Sequence, residues 1–425
     1  MFRTIKGLIS ITLLSLISLT GCMSLSAQTD ADYRNRAVDI LEEVPLIDGH
    51  NDVPIQYRSR AGYKLSELDF MNTAELDRPM HTDIPRLREG RVGGEFWSVY
   101  VSANLPESEA VQQTMEQIDF VDRMTEAYPD VFEAALTADD VERIFRNGKI
   151  ASMKGMEGGH SIGNSLATLR KFYDLGARYM TITHGRTLDW ADSATDEPEN
   201  NGLTGFGREV IREMNWLGMI VDLSHVSPKT MKDAIEVSEA PLIFSHSSAR
   251  AINQHPRNVP DDVLELTRDN GGVVMVTFVP SFISEELREH LSSRSAHRTK
   301  LESLYPGQPG QVSSLMDEWE AENEAPKATL EQVADHIDHI KNVAGIDHVG
   351  IGGDYDGIGS LPTGLEDVST YPDLFAELLK RGYTDEELKK IAGLNVLRVM
   401  RSVEDVSERL RSERGPSEAL ITDFE

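Results

Sequence analysis

The sequence predicts an α/β protein built as a parallel (β/α)8 barrel of the TIM type. Two observations carry that prediction. Eight short apolar runs alternate with polar stretches of helical pattern, and six of the eight runs lead into a His, Asp or Glu. Such alternation marks a parallel sheet with helical crossovers, and continuous apolar runs suit strands buried on both faces. A chain of 425 residues is long enough for one barrel with additions.

The eight runs are Val44–Ile47, Phe96–Val101, Ile150–Met156, Tyr179–Thr183, Met219–Leu223, Pro241–Phe244, Val273–Phe278 and Val349–Ile351. Helical patterns lie between several of them: Ala110–Tyr128, Leu166–Leu175, Gly205–Leu217, Pro228–Val237, Asp261–Thr267 and Leu330–Val343. Two more, Pro372–Lys380 and Asp385–Met400, follow the last run. Ser227-Pro228 reads as an N-cap followed by Pro at the first helical position. Residues 280–328 break the alternation. They are charged, contain Pro306, Pro309 and Pro326, and form an insertion between the seventh and eighth strands. A lid over the barrel mouth and a solvated excursion are both open readings.

The N-terminus has its own logic. Arg3 and Lys6 form a short basic region, and Leu8–Leu19 is uncharged and mostly apolar. That stretch is short for a membrane span but suits a signal peptide. It ends in Leu19-Thr20-Gly21-Cys22, which resembles a bacterial lipobox with Cys22 as the acylated first mature residue. Residues 1–21 are then a lipoprotein signal peptide, 22–32 a tether and 33–425 one domain. The expectation is an exported protein anchored through Cys22 to a bacterial membrane.

Composition excludes much else. The formal charge is −29, from 71 acidic against 42 basic residues, which argues against a nucleic-acid partner. With Cys22 the sole cysteine, neither an intrachain disulfide nor a cysteine-based zinc site is available. Any metal must be held by His, Asp and Glu.

Those residues stand where barrel chemistry occurs, at the C-terminal ends of the strands. The first run leads to His50 and Asp52, the third to Glu157, the fourth to His184, the fifth to His225, the sixth to His246 and the eighth to Asp354. Residues i and i+2 of a strand share a side, so His50 and Asp52 can grip one ion together. Three His and two carboxylates suit zinc or a similar borderline ion. Five ligands exceed one tetrahedral site. They fit two ions, one on His50 and Asp52, the other on His225 and His246, with Glu157 as the bridge. Such a pair can hold a bridging hydroxide as nucleophile.

The motifs Ile47-Asp48-Gly49-His50-Asn51-Asp52, Glu157-Gly158-Gly159-His160-Ser161, Asp222-Leu223-Ser224-His225 and Phe244-Ser245-His246-Ser247-Ser248-Ala249 follow one another in the chain. Arg257-Asn258-Val259-Pro260-Asp261-Asp262, Gly352-Gly353-Asp354-Tyr355-Asp356-Gly357 and Gly364-Leu365-Glu366-Asp367-Val368 come after them. Together they resemble the membrane (renal) dipeptidase family of zinc metallopeptidases over roughly Ala37 to Met400. The resemblance implies a barrel with two zinc ions per chain and hydrolysis of dipeptides, L,D-dipeptides among the candidates. It implies three further roles: His184 at the substrate carbonyl and oxyanion, Arg257 on the terminal carboxylate, and Asp354 as proton shuttle and contact for the amine. Dimers occur in the family, so a homodimer is one expectation. The chain departs from vertebrate members in lacking disulfides and a C-terminal anchor signal. Gly185-Arg186 follow His184 where they place a cysteine, Val279 stands where they have a tyrosine, and the 280–328 insertion is longer.

Other candidates carry plainer readings. His336 and His339 lie three apart on a helix, without a His-Glu-x-x-His pattern, and read as a solvated face. His160 reads as structural or supporting, and His348, at the N-terminal end of its strand, as structural. Asp189-Trp190-Ala191-Asp192 either lines the pocket or packs a loop. Asp356 reads as support for Asp354. Two rival functions keep the motifs: hydrolysis of another carboxylate-bearing amide, such as an N-acyl amino acid or a β-lactam, and a catalytically silent binding lipoprotein.

Overall fold

The computed structural model describes Met1 and residues 29–424. Cys22 and the segment read as a signal peptide lie outside the described residues. Nine parallel strands form one sheet: β1 (Leu46–Asn51), β2 (Val92–Tyr100), β3 (Phe132–Ala134), β4 (Ile150–Glu157), β5 (Ala177–Thr181), β6 (Ile220–Asp222), β7 (Ile243–Phe244), β8 (Val273–Val276) and β9 (Val349–Ile351). Their order is β2-β1-β9-β8-β7-β6-β5-β4-β3, and pairing of β2 with β4 closes eight of them into a barrel. All eight predicted runs overlap a barrel strand. The ninth, β3, is a three-residue addition beside the start of β4, where Phe132 faces Ile150.

Apolar side chains fill the barrel: Ile47, Phe96, Ala151, Met153, Tyr179, Ile220, Ile243, Val273 and Met275 form one buried cluster. The helix Asn395–Glu413 adds Val396, Leu397, Val399 and Met400 to that cluster. Asn395 Nδ2 donates to the carbonyls of Ile346 and Val349, at the foot of β9. The last helix therefore closes the N-terminal end of the barrel, and the other end is left for chemistry.

The first strand differs from its predicted span. It begins after Pro45 and runs through Asp48-Gly49-His50-Asn51, all buried. Proline offers no N–H to a ladder, whereas these polar residues pair on both sides, Asp48 with Glu95 and with Ile351. Asp48 is the reason polar backbone sits comfortably there. One carboxylate oxygen accepts the N–H groups of His50 at 3.1 Å and Gly353 at 2.8 Å. The other accepts the Tyr371 hydroxyl. Asp48 thus ties β1 to the turn after β9.

The helix Asp30–Glu43 begins on a capping box of Thr29 and Asp32, so positions 30–32 of the stretch read as tether are helical. Residues 280–328 are ordered as three helices, Pro280–Ile283, Glu285–Leu304 and Pro309–Glu322. Their prolines mark boundaries rather than disrupt: Pro280 and Pro309 each open a helix, which proline tolerates. The two long helices form a hairpin with a small core of its own, Leu301, Val312 and Met316.

The reading of His336 as part of a solvated face is corrected. His336 is fully buried. Its Nδ1 accepts the N–H of Ala249 at 3.0 Å, which leaves Nε2 to donate to the Ile283 carbonyl at 3.0 Å. The helix Leu330–Ala344 carries Val333, Ile337 and Ile340 inward as well, and at helical spacing His336 shares that inner face. His339 lies nearer the surface and bonds to Asp261 Oδ1 at 2.8 Å.

Burial pushes the His336 pKa down from 6.5 to about 4. In that window the unfolded chain binds the extra proton, so stability rises with pH. The residue should contribute about 3 kcal/mol at pH 7 that is lost as pH falls from 6.5 through 4. Chemical denaturation at pH 7, 5.5 and 4.5 should show a steeper decline for the wild type than for His336→Gln. Parallel declines would refute the assignment.

Candidate functional site

The strand ends deliver the predicted side chains to one place. Glu157 closes β4, with His50 on β1 and Asp52 just beyond it. His184, His225, His246 and Asp354 follow β5, β6, β7 and β9. Around Glu157 the distances are short. His225 Nε2 lies 3.0 Å and His246 Nε2 3.5 Å from Oε1, while His50 Nε2 lies 3.6 Å from Oε2. His50 Nε2 is also 3.4 Å from Asp52 Oδ2. His184 Nε2 stands 3.8 Å from Oε1 and its ring stacks on His225. Donor atoms fall into three overlapping groups, each within 4.8 Å: His50–Glu157–His246, Glu157–His184–His225 and His50–Asp52–Asp354. The predicted pairs are present, but His246 lies close to both His50 and His225.

Two of the imidazoles, His50 and His246, are anchored from behind through Nδ1, which turns Nε2 inward. Tyr179 gives its hydroxyl proton to the Gly49 carbonyl at 3.1 Å and so must accept from His50 Nδ1 at 2.9 Å. His50 Nε2 is then the atom turned toward the site, and it is buried with no hydrogen-bond partner. A parallel relay sets His246. Ser245 Oγ donates to Asp222 Oδ2 at 2.6 Å and accepts from His246 Nδ1 at 2.8 Å. His246 Nε2 then faces His225 Nε2 across 2.9 Å. A buried nitrogen without a partner is costly, and a metal ion taking the place of the ring proton between such atoms satisfies them. The residues present therefore fit a metal centre. Imidazoles oriented from behind by hydroxyls and carboxylates are the usual support for one. Space is cut for the relay too: a Cβ at Gly155 would meet the Tyr179 ring at 2.0 Å.

Electrostatics follow from burial and crowding. Burial opposes the charged form of His50, yet Tyr179, Glu157 and Asp52 together hold its pKa well above the usual histidine value. Burial pushes His225 and His246 well below it. Glu157 stays well below the carboxylate range because His50, His184 and His225 outweigh its burial. Burial, with Asp52 adjacent, raises Asp354 well above that range. Strain collects here as well: His225, Asp354 and Asp356 have φ of 71°, 62° and 67°, a left-handed conformation uncommon for residues with side chains.

These groups open into a pocket of about 390 Å³. Arg257 lies in its wall, 3% exposed. Its guanidinium donates to Ser247 Oγ and the His246 carbonyl, and burial lowers its pKa to about 10. Val279 and Phe282 flank it, so the start of the insertion forms pocket wall. His160 bonds to the Val101 carbonyl at 3.0 Å and His348 to the Gly272 carbonyl at 2.7 Å, both structural. Asp192 gathers the N–H groups of Glu199, Asn200 and Gly202, and Trp190 is fully buried, so that segment packs a loop. Asp356 takes the His81 N–H and returns its own to His81 Nδ1. Sequence reasoning missed Tyr179, Ser245 and Asp222 as the groups behind the histidines, and Tyr100 and Gln56 in the pocket wall.

The model of the membrane dipeptidase family, peptidase family M19, matches residues 34–414. The chain belongs to that family. It is a dipeptidase of the metallopeptidase kind, a hydrolase of peptide bonds. Among solved structures, a probable dipeptidase, PvdM, from Pseudomonas aeruginosa is 27% identical with a TM-score of 0.76, over 88% of this chain and 99% of its own. A dipeptidase termed AC, a metallopeptidase of family M19, is 26% identical with a TM-score of 0.69, over 85% and 98%. A metallopeptidase from Rhodobacter sphaeroides, liganded with a phosphinate mimic of the dipeptide L-Ala-D-Ala, shares the fold at 24% identity and a TM-score of 0.70, over 85% and 99%.

The relay gives a direct expectation. Tyr179→Phe removes the acceptor behind His50 and should weaken metal binding about 10- to 100-fold. Titration with a chelator reads this, with the thermal midpoint in excess metal as the folding control. An unchanged affinity would mean that Tyr179 does not set the ring.

Proposed function

We propose that the chain is a zinc dipeptidase with two ions, held by His50, Asp52, Glu157, His225 and His246. The observation that carries the reading is the division of Glu157, whose Oε1 faces His225 and His246 while Oε2 faces His50. A carboxylate placed so is suited to join two centres. Imidazole and carboxylate donors without a thiolate suit zinc. When bound, the ions supply Lewis acidity at the scissile carbonyl and lower the pKa of water.

The chain's own groups do the rest. Arg257 is charged, buried and, among the described residues, without an ion-paired carboxylate, and its planar fork fits a substrate carboxylate bidentately. A free C-terminus must then lie close to the scissile bond, which restricts substrates to dipeptides. His184, between Glu157 and the open pocket, donates to the carbonyl oxygen as negative charge grows there. Asp354, beside Asp52, takes a proton from the attacking water and returns it to the leaving amine. A D-residue at the second position belongs to the same proposal, because the grip is on its carboxylate; the R. sphaeroides peptidase carries a mimic of such a substrate.

Two variants test this on one panel of dipeptides. Glu157→Ala should lose both metal content, by elemental analysis, and turnover; a metal-replete, active variant would sink the bridging role. Arg257→Met should keep its metal and raise KM for dipeptides at least tenfold, the scale of a lost charged hydrogen bond. Unchanged dipeptide kinetics would remove Arg257 from substrate binding.

A further inference from the structure

A second cavity, of about 430 Å³, lies against the active-site pocket. The two share a wall of Gln56, Asp356, Gly357 and Ile358. The far side of the second cavity carries two cations, Arg60 and Arg78, beside His81, whose pKa burial pushes below the usual histidine value. Arg60 donates to the Arg78 carbonyl at 2.6 Å and, weakly, to Gln56 Oε1 at 3.4 Å. Among the described residues neither Arg60 nor Arg78 is ion-paired, although acidic residues outnumber basic ones by 71 to 42. The one carboxylate in this wall is buried rather than paired with either arginine: Asp356 is 3% exposed, its Oδ1 holds the His81 N–H at 2.8 Å, and its Oδ2 has no hydrogen-bond partner. Arg60 also sits in the last turn of the helix Val53–Ala61, where a cation suits the helix dipole. That accounts for its place on the helix. It does not account for Arg78, or for both arginines lining one cavity beside the site.

We propose that this cavity receives the carboxylate of an acidic side chain on the first residue of the dipeptide, so that the enzyme prefers substrates beginning with Asp or Glu. The inference rests on the orientation proposed above. Arg257 follows β7, which β8 and β9 separate from β1 in the barrel. A dipeptide anchored at Arg257, with its scissile bond over Glu157, carries its first residue toward Asp354 and the Gln56–Ile358 wall. The side chain of that residue then points at the basic cavity. Net charge opposes the approach of such a substrate from afar. Within the cavity the arginines dominate, since screening at physiological salt acts over about 8 Å and a guanidinium fork matches a carboxylate.

The test is the specificity constant of the purified, metal-replete enzyme on Glu-Ala, Gln-Ala, Ala-Ala and Ala-Glu. The wild type should favour Glu-Ala over its neutral isostere Gln-Ala by about tenfold, the scale of one charged hydrogen bond. Arg60→Gln with Arg78→Gln should erase that ratio and leave Ala-Ala within twofold. Arg78 is exposed, so Arg78→Gln alone reads the cavity even where Arg60→Gln loosens the helix end. Equal rates on Glu-Ala and Gln-Ala overturn the inference, and so does a preference that survives both substitutions. Loss of an Ala-Glu preference instead would place the acidic group on the wrong residue and overturn it too. Failure to cleave any of the four dipeptides would bring down the dipeptidase reading itself, a distinct result.

Discussion

Glu157 ends β4 nearly buried, with three imidazoles within 3.6 Å of its carboxylate and a fourth at 3.8 Å. Five strands contribute to that contact, and the rest of the site is arranged around it. The Ser98 hydroxyl donates to Oε2 at 3.2 Å and helps to fix the carboxylate. Behind two of the imidazoles, Tyr179 and the Asp222–Ser245 pair anchor Nδ1 of His50 and His246, so the Nε2 atoms of both face the carboxylate. The barrel supplies the rigidity this needs. A ring tilted by a hydrophobic neighbour or a loose strand end would let one nitrogen find a backbone donor instead.

Much of this was legible in the sequence because metal chemistry uses few residue types at fixed places. With one cysteine, the donors had to be His, Asp and Glu, and the barrel rule says where they stand. Asp52, Glu157, His184, His225, His246, Arg257 and Asp354 line one pocket, with His50 buried beside Glu157. What supports them was not legible. Tyr179 lies inside an apolar run and looks like core, and nothing local distinguishes its hydroxyl from that of any buried tyrosine. The partner of Asp48, Tyr371, is more than three hundred residues away in the chain. His336 was misread for a related reason: spacing gives the face of a helix, but its partners on other elements decide whether that face is wet.

The insertion shows the same limit. Charge and proline suggested a lid or a solvated loop, yet Pro280 and Pro309 are helix starts, and the charged faces belong to a helical hairpin. Its contribution to the pocket wall comes at its beginning, where the Phe282 ring lies under the Arg257 guanidinium. Composition recorded the surface of the hairpin and missed its small internal core.

The Asp48 clamp has a kinetic side. Its bonds to Gly353 and Tyr371 join residues 305 and 323 apart in sequence. Contacts of such separation form late, after much loop entropy has been lost. His50 and Asp52 lie at one end of that closure and Asp354 at the other. The five metal donors all precede residue 247, whereas Asp354 joins them only when the chain through β9 is available. Placement of the proton shuttle beside the metal donors is coupled to the closure of the barrel between β1 and β9.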